Sequence, residues 1–153
     1  MKEKIAVDSN ILILLSRNEA FGRFFNQRYL ATECEFVLCF ASEAEPKSLS
    51  FRKLWGERRN LVMQDFITRT TQIRTVSDEM IQAYIEIEAY SLCQHPILKK
   101  PQGETAHKMG KNDLWIAATT LVHAQKIVTT DKDFIQLDGV FFDVDWINIA
   151  DFA

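Results

Sequence analysis

Acidic side chains in this sequence fall where strands are predicted to end or helices to begin. Asp8 follows the apolar run at the start of the chain, and Asp131 closes a later one. Asp113 lies in the first turn of a predicted helix, and Glu43 and Glu45 follow a third apolar run. If these elements meet at one edge of a sheet, the three aspartates and one of the two glutamates converge there as four carboxylates.

Carboxylates that share a small site repel one another, which raises their pKa values and opposes folding. One or two hard divalent cations would remove this conflict, and carboxylate oxygens suit Mg²⁺ or Mn²⁺ rather than zinc. Such a cation supplies a water nucleophile for phosphodiester hydrolysis. The three histidines, His95, His107 and His123, lack metal-ligand spacing, and no serine or cysteine nucleophile with a histidine partner is evident.

Apolar strands alternate with helices along the chain, and these elements must position the acids. The predicted strands are 3–7, 35–40, 73–76, 126–131 and 140–144. The predicted helices are 10–30 with a break near residues 16–18, 42–68 with a break at 56, 77–94, 112–125 and 133–137. One long loop is predicted over 95–111. This alternation predicts a three-layer α/β/α sandwich with a mainly parallel sheet of four to five strands. Ligands bind beyond the carboxyl ends of the strands in such sheets.

The composition is that of a globular protein, and the length suits one domain over residues 1–153. The net charge of −3 excludes a broadly basic surface, so a polyanion would need a local patch or a metal ion. Three cysteines without a CxxC pair argue against a disulfide scaffold or a zinc ribbon. Without a signal sequence or a long apolar run, we expect a cytoplasmic protein with no membrane partner.

Three stretches resemble the PIN-domain ribonucleases, in particular the VapC-type toxins. The stretch "IAVDSNILI" resembles the family's opening strand, and "NDLWIAATTLVHAQKIVTTDKDF" resembles its C-terminal signature. The stretch "SEAEPKSLSFRKLWGERR" is similar to the middle motif, in which a glutamate precedes a helix. Together they span positions 5–134, which is most of the chain.

The resemblance implies an endoribonuclease that depends on Mg²⁺ or Mn²⁺ and leaves 5′-phosphate and 3′-hydroxyl ends. The implied catalytic and metal-binding residues are Asp8, Glu45, Asp113 and Asp131. The residues implied or expected to support them are Ser9, Asn10, Asn112 and Asp133. The resemblance also implies an RNA substrate, a possible antitoxin protein and a homodimer.

The fourth acid is open between two candidates. Spacing from the middle motif favours Glu45, and because Glu43 lies about 200° away around a helix, only one of them faces the site. Pro46 stands where the family usually has an apolar helix former, and we expect it to distort the first turn.

Two alternatives compete with the ribonuclease. A haloacid-dehalogenase-like phosphatase also has an aspartate after its first strand, but it needs a second aspartate where this chain has Asn10. A non-catalytic RNA- or protein-binding module would keep the fold without turnover. Each acid alone also has a structural interpretation, since aspartate and glutamate favour helix starts and turns.

Overall fold

A parallel sheet of five strands forms the centre of the computed structural model, which describes residues 2–152. The strands are β1 (Glu3–Val7), β2 (Cys34–Cys39), β3 (Thr71–Ile73), β4 (Lys126–Thr129) and β5 (Asp143–Trp146). Their order is β3-β2-β1-β4-β5, and every pairing is parallel. β1 is therefore the central strand, and all five carboxyl ends lie at one edge of the sheet.

Helices pack on both faces of this sheet. They are α1 (Ser9–Arg17), α2 (Glu19–Phe25), α3 (Phe40–Lys53), α4 (Glu57–Thr68), α5 (Asp78–Ser91) and α6 (Lys111–His123), with a π-helical turn at Asn26–Leu30 and 3-10 helices at Lys132–Leu137 and Ile149–Phe152. Alternate residues of β1 face opposite layers, because side chains in a strand alternate between faces. Ile5 and Val7 pack with α1, α2 and α4, whereas Ala6 packs with α5 and α6. The predicted α/β class with a parallel sheet is confirmed.

Several element boundaries differ from the sequence prediction. β4 ends at Thr129 and not at Asp131, because the Thr129 hydroxyl accepts the Asp131 N–H and turns the chain. β3 comes two residues before the predicted 73–76, and β5 begins three residues after the predicted start at 140. The residues that had suggested a strand at 140–142 form a turn, in which Phe142 is buried.

Pro46 does not break the helix that carries it. Helix α3 begins at Phe40, two residues before the predicted start, so Pro46 is its seventh residue and lies beyond the first turn. The expected distortion of the first turn was therefore wrong in its position, and the helix continues to Lys53. Among residues 2–152, no helix combines the length and the apolar character that crossing a membrane requires.

Candidate functional site

Asp8 occupies the centre of the carboxyl edge and is only 2% exposed. Its backbone N–H donates to Val128 O at 3.1 Å, which extends the β1–β4 pairing up to this residue. Oδ1 accepts the Ser9 N–H at 2.7 Å and the Ser9 hydroxyl at 3.2 Å, and Oδ2 accepts the Thr129 hydroxyl at 2.7 Å. The carboxylate is thus fixed through both oxygens. Burial is the main cause that raises its pKa to about 6.

The two glutamates at the start of α3 have different partners. Glu45 is exposed, and its Oε2 accepts the Ser9 hydroxyl at 2.8 Å, so Ser9 links Glu45 to Asp8. Glu43 is buried and pairs with Arg74 and Lys47, whose nitrogens lie 2.7 Å and 2.6 Å from its Oε2. These cations lower the Glu43 pKa, with the Arg74 hydrogen bonds as the largest cause. Glu45 alone of the two is therefore linked to Asp8.

Three further carboxylates lie together beside Asp8. One oxygen each from Asp113, Asp131 and Asp133 lies within 4.8 Å of the others. Asp113 is in the first turn of α6, whereas Asp131 caps the 3-10 helix by accepting the Asp133 N–H at 2.9 Å. The Asp131 cap therefore holds Asp133 on the same side as Asp113. No ion pair neutralises Asp113 or Asp131 among residues 2–152.

The electrostatics of Asp113 connect all of these groups. Burial is the largest cause of the rise in its pKa to about 7, and repulsion from Asp8, Asp131, Asp133 and Glu45 adds to it. Each of these carboxylates is thus near enough to oppose ionisation of Asp113. The strand order explains this, since β1 and β4 are neighbours and α6 leads directly into β4.

The donor set fits a hard divalent cation. The clustered side chains are carboxylates, and oxygen donors are the ligands of Mg²⁺ and Mn²⁺. Burial is the largest cause of the raised pKa values of Asp8 and Asp113, and repulsion from neighbouring carboxylates adds to it. A cation at this edge would favour the ionised form of each group.

Comparison with known proteins gives the fold a context. No protein-family model and no curated protein matches the sequence. Among solved structures, a VapBC2 complex of Rickettsia felis bound to a promoter DNA fragment contains a chain that is similar at TM-score 0.68 and 17% identity, with 93% of this chain and 97% of that chain covered. The chain has the fold of VapC-type PIN domains.

Two other structures agree with this assignment of the PIN fold. VapBC-1 of nontypeable Haemophilus influenzae matches at TM-score 0.66 and 21% identity, covering 94% of this chain and 97% of that chain. DNA-bound VapBC of Salmonella typhimurium matches at TM-score 0.66 and 18% identity, with the same coverage. The resemblance noted in the three sequence stretches is thus confirmed for the fold.

The remaining predicted residues, Ser9, Asn10 and Asn112, differ in whether they contact the site carboxylates. Ser9 is buried between Asp8 and Glu45. Asn10 is half-buried in α1 and Asn112 is exposed in α6, and neither amide bonds to a site carboxylate within residues 2–152. Their supporting role stays a prediction.

Two residues of the site were missed from the sequence. The Thr129 hydroxyl donates to Asp8 and accepts from the Asp131 backbone, so it joins two of the acids. His107 lies in the loop between α5 and α6, with its Nε2 3.0 Å from Asp133 Oδ1. The length of that loop was a signal for function, but its path to Asp133 could not be predicted from spacing.

Proposed function

We propose that this chain is a metal-dependent endoribonuclease and the toxin of a toxin–antitoxin pair. The observation that carries the proposal is the gathering of carboxylates at one sheet edge, where mutual repulsion contributes to the raised pKa of Asp113. The likeness of the fold to VapBC structures supports the same assignment. The sequence motifs around Asp8 and Asp113 provide a third line of support.

In this proposal, Mg²⁺ or Mn²⁺ is held by Asp8, Glu45, Asp113 and Asp131, and Asp133 lies beside them. The cation, when bound, supplies a water nucleophile at neutral pH and stabilises charge on the phosphodiester. The protein's own contribution is to keep the carboxylates in place before substrate arrives. Thr129 and Ser9 hold both oxygens of Asp8, and Ser9 also orients Glu45.

Exposed lysines beside the carboxylates provide contacts for RNA phosphates. Lys111 begins α6 two residues before Asp113, and Lys132 lies between Asp131 and Asp133. Neither ammonium group forms an ion pair within residues 2–152, and that of Lys132 lies over the Trp146 ring, so both can approach a polyanion that the site carboxylates would repel. Contacts of this type are independent of sequence and weaken with salt, so they would position the strand without selecting it.

We also propose an antitoxin partner and a homodimer. The antitoxin is supported by the VapBC complexes, whose chains share this fold. The homodimer is supported by an apolar stripe on α5, where Ile81 and Ile85 are 46% and 53% exposed one turn apart. Light scattering of the purified chain measures the oligomeric state, and a dimer mass that Ile85→Glu reduces to a monomer mass would support this face.

Cleavage of a mixed pool of structured RNA tests the nuclease. We expect wild-type protein to cut with Mg²⁺ or Mn²⁺ and not with EDTA, and Asp8→Asn and Asp113→Asn to be inactive. Asp143→Asn is the matched control, because Asp143 is exposed at the first residue of β5, at the opposite end of the sheet. Equal cleavage by all variants would reveal a contaminant. Metal binding without cleavage by the wild type would favour the non-catalytic RNA- or protein-binding module.

A further inference from the structure

A cleft of about 640 Å³ lies directly beside the carboxylates. Its walls come from the loop between α5 and α6 and from the 3-10 helix that begins at Lys132. Asp133 lines the cleft and also belongs to the trio of carboxylates with Asp113 and Asp131. The cleft therefore adjoins the proposed site of phosphodiester hydrolysis.

A ring of hydrogen bonds fixes the wall that the loop provides. The His107 N–H donates to Ser91 O at 2.8 Å, and the Ser91 hydroxyl donates back to His107 O. Gln136 Nε2 donates to Ser91 Oγ and to Asp133 O, both at 3.2 Å, and the His107 ring contacts the Asp133 carboxylate. The cleft is thus preformed even though most of its loop is exposed.

Two lysines, Lys100 and Lys132, and three carboxylates, Glu104, Asp133 and Asp138, line the cleft. Lys100 points its ammonium group to Thr105 O at 3.0 Å and lies over the Tyr90 ring, so its charge is partly engaged. The Glu104 carboxylate also lines the cleft, and within residues 2–152 it has no ion pair or side-chain hydrogen bond. The Glu104 carboxylate is therefore available to accept a hydrogen bond from a donor group.

Apolar side chains complete the lining. Ile135 and Val140 are 44% and 39% exposed, and both face the cleft. A planar ring that packs on them would cover apolar surface in the cleft that Glu104 also lines. Aromatic bases of single-stranded RNA are bound in this way, by packing on their faces and by hydrogen bonds at their edges.

We infer that this cleft binds the base of a nucleotide next to the cleaved phosphodiester and prefers adenine, cytosine or guanine over uracil. The first three bases carry an exocyclic amino group that donates to a carboxylate. Uracil has one edge donor, which lies between two carbonyl oxygens that the carboxylate repels. The inference rests on the proposed nuclease, and it adds a specificity determinant, Glu104, that the carboxylate site itself does not provide.

Cleavage-site sequencing on a random RNA pool tests the preference. For wild-type protein we expect uracil to be depleted at least about fivefold at one position flanking the cut. Glu104→Gln should reduce that depletion to less than twofold. Glu33→Gln is the control, because Glu33 is exposed near the start of β2, at the opposite end of the sheet. Equal cutting at all four bases by wild-type protein would overturn the inference.

Filling the cleft provides a second test. Val140→Trp should lower kcat/KM on the pool at least about tenfold without changing the metal-dependent rise in melting temperature. Val62→Trp is the matched control, because Val62 has the same 39% exposure on α4, outside the cleft. Unchanged kcat/KM and an unchanged cutting profile for Val140→Trp would also overturn the inference.

A binding measurement separates this inference from the nuclease proposal. Fluorescence anisotropy with labelled RNA hexamers, in which one position is varied, is measured on Asp113→Asn with and without Glu104→Gln. Weaker binding of uracil that Glu104→Gln abolishes would support the subsite even if wild-type protein cuts no RNA. Binding that is the same for all four bases would contradict the subsite, and cleavage by wild-type protein would then stand without it.

Discussion

Replacement of Asp113 by asparagine should stabilise the metal-free protein at neutral pH. The pKa of this carboxyl is raised from 3.8 to about 7. Because the raised value belongs to the folded state, ionisation of Asp113 opposes folding. Below about pH 4 the carboxyl is protonated in both the folded and the unfolded state, so it does not lower the free energy of unfolding. That free energy falls as the pH rises from about 4 to about 7. Asparagine removes this loss without a large change in shape.

The size of the effect follows from the shift. About three pKa units at 1.36 kcal/mol each give a ceiling of about 4 kcal/mol at pH 8. Solvent screening reduces the part that comes from neighbouring carboxylates, and loss of a negative charge in the first turn of α6 costs about 0.3–1 kcal/mol. We therefore expect a net gain of about 1–2 kcal/mol, or a rise in Tm of about 3–6 °C.

Thermal unfolding in EDTA at pH 4 and at pH 8 measures this gain. Asp113→Asn should unfold at a higher temperature than the wild type at pH 8, and the difference should nearly disappear at pH 4. Asp143→Asn, which changes an exposed carboxylate, should show no such pH dependence. A Tm at pH 8 equal to or below that of the wild type, or a gain of equal size at both pH values, would refute the electrostatic reasoning.

Three other variants test the contacts of the site. Thr129→Val removes the hydroxyl that donates to Asp8, and it should cost about 1–2 kcal/mol in urea unfolding and weaken Mn²⁺ binding about tenfold or more. His107→Ala should raise the Mn²⁺ concentration for half-maximal thermal stabilisation about tenfold, whereas His107→Gln, which keeps an N–H donor toward Asp133, should restore most of it. Glu43→Gln should lower stability by about 1 kcal/mol at pH 7 and by less as the pH falls below about 4, because cations lower the pKa of Glu43 in the folded state; an unchanged urea midpoint at pH 7 would contradict this.

The sequence predicted the parts of the site that depend on local order. Asp8 follows the buried apolar residues 5–7 of β1, and that strand proves to be the central one. A buried central strand has a continuous apolar run, so its position and its end are both visible in the sequence. Asp113 was placed correctly in the first turn of its helix for a similar reason, since that helix leads directly into β4.

Edge strands were harder to predict because their residues are less apolar. β3 consists of Thr71–Ile73 at one edge, and its pattern does not differ from a loop. β5, at the other edge, contains Asp145, whose carboxylate accepts the Tyr29 hydroxyl and pairs with Arg28. Only these distant partners make an acidic residue suitable there.

The same limit applies to the site. Thr129 and His107 act on the carboxylates through hydrogen bonds whose partners lie far apart in the chain or are set by the path of a long loop. Glu43 and Glu45 differ in their partners, because Glu43 pairs with Arg74 and Glu45 accepts a hydrogen bond from Ser9. Spacing alone could not identify these partners.

Isothermal titration calorimetry of the metal-free protein with Mn²⁺ tests the central claim most directly. The claim is that Asp8 after β1 and carboxylates from α3, α6 and the turn after β4 together bind a divalent cation. We predict saturable binding by wild-type protein and by Asp143→Asn, and at least tenfold weaker binding by Asp8→Asn and Asp113→Asn. No saturable binding by wild-type protein, or equal binding by all four proteins, would contradict the claim.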